Sequence, residues 1–184
     1  MDSMLISEKG TKPDYSDPEM FDLSMKGKSV YDKAVKAKAS GIPVKSYTSL
    51  YDKKNAYSGE DKADYMRGEI MKMNLSAKQK ELLDDLLVSD KGRNPDYSSP
   101  AWFEISMLGS SQYKDAKGGE KIGLKPETYL DVYKKWQTID AKNKKGKTVN
   151  GLKKKRAKQY LDSLTITAPV YDYIWHNIFG YKRK

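Results

Sequence analysis

An internal repeat is the feature of this sequence that most constrains its fold. The segment KPDYSDPEMFDLSMKGKSVYDKA, which starts at Lys12, aligns without gaps with NPDYSSPAWFEISMLGSSQYKDA, which starts at Asn94. About half of the aligned residues are identical. The match continues through Tyr47 and Tyr129 and is then interrupted by nine extra residues in the second copy. Self-similarity of this kind indicates two copies of one structural unit.

The repeat divides the 184-residue chain into three segments. We predict an N-terminal extension over residues 1–11, a first repeat copy over residues 12–92 and a second copy over residues 93–184. This length suits one domain of ordinary size or two small ones. The sequence is therefore compatible with the copies packing together or separately.

Each copy has the pattern of about five short helices. A capping oxygen followed by proline predicts the start of a first helix at Pro18 and again at Pro100. Glycines at positions 27 and 109 predict the ends of these two helices. Apolar residues spaced by three and four indicate helices rather than strands further along each copy. We therefore predict an all-α protein of two tandem copies of a roughly five-helix unit, with a basic loop insertion in the second copy.

Further helix starts occur at matching places in the two copies. Pro43 and Pro126 precede the apolar faces of the predicted third helices. Ser76 and Thr167 stand where the N-caps of the fifth helices are expected, and Ser76 has the spacing of a capping box with Gln79. The pattern contains no β-hairpin signal outside the insertion, whose residues 143–148 are predicted to form an exposed basic loop or a short ribbon.

The residue types that usually carry catalysis are scarce in this chain. There is no cysteine, and His176 is the single histidine, which we interpret as a packed or rim side chain within an apolar run. The paired acids Asp84–Asp85 and Glu60–Asp61 are sequence neighbours, so their side chains point to different sides of a helix. No glycine-rich phosphate-binding loop is present. We predict that the protein is not an enzyme and has no metal or other cofactor.

The positive charge is concentrated in one part of the chain. Residues 1–92 contain sixteen basic and sixteen acidic residues, whereas residues 93–184 contain nineteen and nine. Residues 134–158 alone contain eleven Lys or Arg and a single acid, Asp140. The sequence thus predicts that the second copy carries any surface that binds a polyanion.

A basic loop followed by a basic helix can place several cations along a nucleic-acid backbone. Arginine is rare in the chain, which argues against reading of guanine bases and favours non-specific, salt-sensitive binding. The other interpretation is a solvated lysine surface without a partner. The candidate nucleic-acid-binding residues are Lys142, Lys144, Lys145, Lys147, Lys153, Lys154, Lys155, Arg156, Lys158, Lys182 and Arg183.

Trp136 is a second kind of candidate. It replaces a lysine of the first copy and stands beside two lysines of the second. A large ring in such a place is either part of the core or a partly exposed contact for another protein, because aromatic rings are enriched in interfaces. We take Trp136 as a candidate protein-binding residue.

A set of residues in the second copy forms a recognisable pattern: Gly146, Lys147, Thr148, Val149, Gly151, Lys153 to Lys155, Leu161, Leu164, Thr167, Gly180 and Tyr181. This pattern resembles repeats of large virion proteins from phages of Gram-positive bacteria, particularly tail tape-measure and internal proteins. The resemblance covers mainly residues 113–184 and, more weakly, residues 31–90. The sequence departs from the repeat pattern at residues 169–171, where Pro-Val-Tyr replaces the expected lysine-containing turn.

The resemblance implies a phage or prophage protein and supplies no catalytic residues. Because this chain begins with methionine and ends with the second copy, we expect a stand-alone role. We expect either a virion or genome-packaging accessory protein that contacts DNA or RNA, or a phage-encoded inhibitor of a host defence nuclease, of the anti-CRISPR type. The expected partners are nucleic acid and a phage structural protein or a host nuclease complex. No apolar run approaches the roughly 20 residues of a membrane span, so the expected location is the host cytoplasm or the virion.

Overall fold

The computed structural model describes residues 12–88, 92, 94–142 and 145–182, and this part of the chain confirms the all-α prediction. The predicted extension over residues 1–11 lies outside the described residues. The described helices are α1 Pro18–Lys26, α2 Lys28–Ala39, α3 Val44–Ala56, α4 Lys62–Met71, α5 Ala77–Leu87, α6 Pro100–Leu108, α7 Ser110–Glu120, α8 Pro126–Thr138, α9 Leu152–Asp162 and α10 Ala168–Tyr173, which continues as a π-helical turn over Ile174–Ile178.

The helices begin and end at the signals that the two copies share. α1 and α6 begin at the prolines that follow the capping residues. Gly27 and Gly109 separate the first helix from the second in each copy, with φ of 122° and 142°. Residues with a side chain rarely adopt such angles, which explains why glycine occupies both positions.

Two features of the helices differ from the sequence prediction. The apolar spacing by three and four that predicts the fourth helices continues to Met73 and Leu164, but α4 ends at Met71 and α9 at Asp162. The fifth helix of the second copy is regular only over α10 and then widens into the π-helical turn. Apolar spacing alone does not distinguish an α-helix from the turn that follows it.

The capping box predicted for α5 is present and has an additional partner. The Ser76 hydroxyl accepts from the Gln79 N–H at 3.3 Å, and the Gln79 side-chain oxygen accepts from the Ser76 N–H at 3.0 Å. The Gln79 amide nitrogen also donates to the carbonyls of Ser40 and Gly41, both at 3.1 Å. Val170 stands at the corresponding position of the second copy, so α5 is tied to the turn after α2 by bonds that α10 cannot make.

Replacement of Gln79 by alanine should lower the free energy of unfolding by roughly 1–2 kcal/mol, because a cap and two tertiary hydrogen bonds are lost together. The measurement is urea denaturation followed by circular dichroism. Lys78→Ala, which removes an exposed neighbour on the same helix, is the control and should change stability by less than about 0.5 kcal/mol. Equal effects of the two substitutions would contradict this role of Gln79.

The chain forms two compact units, Met1–Phe103 (unit 1) and Glu104–Lys184 (unit 2). In unit 1, α3 lies at the centre and contacts α1, α2, α4 and α5, and its residues Tyr47 and Leu50 are buried. Tyr97 is buried in the same core, with Phe103 packed against it. The first residues of the second repeat copy therefore pack with the first copy, and the packing boundary lies inside the second copy.

In unit 2, α8 is the counterpart of the central helix α3. Tyr129 and Val132 of α8 are buried, as are Tyr47 and Leu50 at the equivalent positions of α3. The Tyr173 hydroxyl donates to the Asp115 carbonyl at 2.7 Å and so ties α10 to α7. No helix among the described residues is long and apolar enough to cross a membrane.

The stability of both units depends on pH in the alkaline range because both contain buried tyrosines. Burial, with a smaller contribution from the charge of neighbouring Tyr51, raises the pKa of Tyr47 from 10.0 to about 12. Burial also raises the pKa of Tyr97 and of Tyr129. Since the folded-state pKa lies above the unfolded one, the neutral phenols stabilise the fold fully below pH 10, and this contribution is lost as pH rises through the folded value.

The protein should therefore lose stability steeply between pH 10 and about 12. Tyrosinate absorbance and circular dichroism, recorded together in an alkaline titration, should show ionisation and unfolding in one step. The Tyr47→Phe variant lacks one of the responsible phenols, and its transition should lie at higher pH. A transition at the same pH in both proteins would contradict the assignment to Tyr47.

Candidate nucleic-acid interface

The residues inserted in the second copy form a loop that connects α8 to α9. Lys142 and Thr148 form an antiparallel β-bridge, and the Val149 N–H donates to the Ala141 carbonyl at 2.9 Å. These bonds close the base of the loop. Of the residues 143–148 predicted to form a loop or a short ribbon, Asn143 and Lys144 lie outside the described residues. Gly151, with φ of 76°, then turns the chain into α9.

Arg156 anchors this loop to α9. Its guanidinium is paired with the Asp140 carboxylate, and Nη1 also donates to the Asp140 carbonyl oxygen at 3.2 Å. The same carboxylate accepts from the Lys142 N–H at 3.2 Å. Arg156 is a predicted nucleic-acid contact, but its positive charge is offset by the single acid of the basic segment. Its clearest role in the structure is to hold the loop.

Five of the predicted lysines have exposed side chains on the described part of the loop and on the first turn of α9; one of them, Lys154, lies over aromatic rings and is described with those rings below. Lys142 lies on the first side of the loop, Lys145 and Lys147 on its return, and Lys155 on α9. The loop anchor and the bridge hold these positions on one continuous loop–helix element. We call Lys142, Lys145, Lys147 and Lys155 the lysine surface.

Lys158, which the sequence grouped with Lys154 and Lys155, has a different environment. Its ammonium donates to the Asp162 carboxylate at 2.6 Å, and Asp162 also accepts from the Tyr171 hydroxyl at 2.8 Å. These hydrogen bonds raise the pKa of Lys158 and lower the pKa of Asp162. The charge of Lys158 is thus partly offset within its own helix.

Lys153 and Lys154 lie over aromatic rings. The Lys153 ammonium is 3.9 Å from the centroid of the Trp136 ring. The Lys154 ammonium is 5.7 Å from the Trp175 ring and 5.2 Å from the Tyr181 ring. Ammonium groups at such distances are attracted to the negative face of the ring. The rings therefore fix both charges on the side of α9 that faces them.

The rings under these lysines form one cluster. Trp136 of α8 is 4.8 Å from Phe179 and 5.8 Å from Tyr181, measured between ring centroids, and Trp175 is 4.6 Å from Tyr181. Trp136 and Trp175 are half-buried. Trp136 thus lies in unit 2 against other rings, with part of its surface accessible, as the sequence interpretation required. We call Trp136, Trp175, Phe179 and Tyr181, with Lys153 and Lys154, the ring–lysine cluster.

The C-terminal residues reach the same region through Tyr181. His176 donates from Nδ1 to the Tyr181 carbonyl oxygen, so the histidine holds the turn that follows the π-helical segment. Lys182 is exposed directly after this turn. Lys144 and Arg183, also predicted as contacts, lie outside the described residues.

The sequence interpretation named these basic residues but did not predict the ring–lysine cluster as a unit. A signal was present: the repeat alignment places Trp136 opposite Lys54 and Trp175 opposite Asp84, so the second copy twice carries a ring where the first carries a charge. Within the part of the chain that the structure describes, no group of three or more acidic or histidine side chains is placed to hold a metal ion.

Comparisons with protein-family models, with curated proteins and with solved structures found no match to this chain.

Loss of the anchor should release the loop. In Asp140→Ala, Arg156 and the Lys142 N–H lose their shared partner, so trypsin should cleave after the loop lysines several times faster than in the unmodified protein. Asp32→Ala removes an exposed i,i+4 ion pair of α2 at 3.1 Å and serves as the control. Limited proteolysis read by mass spectrometry measures both rates. Equal cleavage in the two variants would show that Asp140 does not hold the loop.

Proposed function

We propose that the protein binds nucleic acid non-specifically through the lysine surface of unit 2, without catalysing a reaction. The observation that carries the proposal is the exposure of four lysines on one anchored loop–helix element. Unit 2 contains eighteen basic and eight acidic residues, whereas residues 1–103 contain seventeen of each. The whole net charge of +10 therefore belongs to the unit that bears the lysine surface.

Lysine ammonium groups suit contacts with phosphates better than contacts with base edges. Each is a point charge without the planar fork that arginine uses to bind guanine. Binding of this kind gains free energy from released counterions, so it weakens with salt and does not depend on sequence. Dissociation constants near the micromolar range are expected for non-specific binding at physiological salt.

The decisive experiment measures the affinity for a fluorescent DNA duplex over a salt series. We expect the logarithm of the association constant to fall linearly with the logarithm of salt concentration. Replacing Lys142, Lys147 and Lys155 together with glutamine should flatten the slope by up to about three, because each lost phosphate contact removes roughly 0.9.

The matched control replaces Lys36, Lys38 and Lys78, exposed lysines of unit 1, with glutamine. It changes the net charge by the same amount and should leave the slope nearly unchanged. An equal loss of affinity in both triple variants would show that binding depends on net charge alone and not on the lysine surface. Absence of binding at low salt would overturn the proposal.

The proposed biological role is that of an accessory protein of a phage particle or of genome packaging. It is supported by the resemblance of residues 113–184 to phage virion repeats and by an anionic genome as the natural partner of a cationic unit. Mass spectrometry of purified particles tests this role and should find the protein in them. Its absence from particles, together with tight co-purification with a host nuclease complex, would favour the inhibitor role instead.

A further inference from the structure

The second repeat copy gains aromatic rings at the same place where it gains lysines. Trp136 and Trp175 replace charged residues of the first copy, and both belong to the ring–lysine cluster. Core packing alone does not require this change, since the first copy forms a buried core with Lys54 and Asp84 at the equivalent positions. The exchange of charge for ring is specific to the basic unit.

In this part of unit 2, lysine ammonium groups lie over aromatic rings. Lys153 lies over Trp136, and Lys154 lies over Trp175 and Tyr181. Further along α9, the Tyr160 ring is 5.8 Å from the Lys135 ammonium. A surface built of such pairs offers phosphates a charge and bases a flat partner.

A single strand can contact both the ammonium groups and the rings, whereas a duplex can contact only the ammonium groups. In a duplex the base faces are stacked on each other and only phosphates and base edges are exposed. Proteins that bind single strands combine a cationic path with rings on which bases stack. Half-buried rings such as Trp136 and Trp175 have fixed orientations, so their side chains lose little conformational entropy when a base stacks on them.

We propose that the ring–lysine cluster makes the protein prefer single-stranded nucleic acid. A base stacks on Trp136 or Trp175, and the lysine that covered the ring turns to the adjoining phosphate. The ammonium exchanges its contact with the ring for a contact with an anion, and the ring exchanges the ammonium for a base, so each group has a partner before and after binding. This inference rests on the proposed nucleic-acid binding and specifies its substrate.

The test compares oligothymidylate with a DNA duplex of the same length and at the same salt concentration, using the intact protein. The chain has three tryptophans, and Trp102 lies in unit 1. In Trp102→Phe the remaining two tryptophans both belong to the cluster, and their fluorescence can be excited selectively over that of the tyrosines. We expect oligothymidylate to bind about tenfold more tightly than the duplex, which is the effect of one stacked base, and to quench the fluorescence of this variant.

Substitution of the tryptophans separates the contribution of base stacking to affinity from that of phosphate binding. Replacing Trp136 and Trp175 together with leucine should lower the ratio of single-strand to duplex affinity from about tenfold to near one, and each single substitution should lower it in part. Circular dichroism identifies a variant that fails to fold, and the quenching measurement remains decisive because it leaves the cluster intact. Equal affinity for both ligands without quenching would overturn the single-strand preference alone, whereas no binding to either ligand would overturn the proposed function.

Discussion

Burial of one tyrosine-bearing helix in each half of the chain is the constraint on which the rest of the structure depends. Tyr47 of α3 and Tyr129 of α8 are each about 1% exposed, and each stacks on the tyrosine one turn later, at 6.5 Å and 6.3 Å between ring centroids. A tyrosine ring buried to this extent contributes on the order of 2 kcal/mol through its apolar surface. The other helices of unit 1 contact α3 directly, so the loss of this packing would remove the support of all of them.

This repeated core explains how the second copy accepted additional residues. The insertion enters between α8 and α9, at the surface, where a longer loop adds little entropic cost. Arg156 then joins the new loop to α9 through Asp140, both residues of the second copy. The loop lysines are thus held by a helix that has a counterpart in the first copy. The charge asymmetry between units 1 and 2 comes mainly from the smaller number of acids in unit 2, which has eight against seventeen in residues 1–103.

Much of the fold could be predicted from local sequence signals, because caps, prolines and glycines act within a few residues. The Asp17–Pro18 start, the Gly27 end and the Ser76 capping box are all found as predicted. The π-helical turn and the burial of Tyr97 in unit 1 were not predicted, since both depend on tertiary packing.

The candidate site, like the fold, could be predicted from the sequence only in part. Composition identified the basic segment, but the pairing of Arg156 with Asp140 joins residues 16 positions apart and required the folded chain. The positions of Lys153 and Lys154 over rings depend on α8 and on the C-terminal turn, which no local pattern places beside α9. The sequence therefore indicated where the charge lies, and the structure shows that Arg156 and Lys158 are paired with acids and that Lys153 and Lys154 lie over rings.

Lysine acetylation of the intact protein, followed by mass spectrometry with and without bound DNA, tests residue by residue the proposal that the lysine surface of unit 2 binds a polyanion. We expect DNA to slow acetylation of Lys142, Lys145, Lys147 and Lys155, while Lys36, Lys38 and Lys78 of unit 1 react as before. Equal protection of lysines in both units, or protection confined to unit 1, would contradict it.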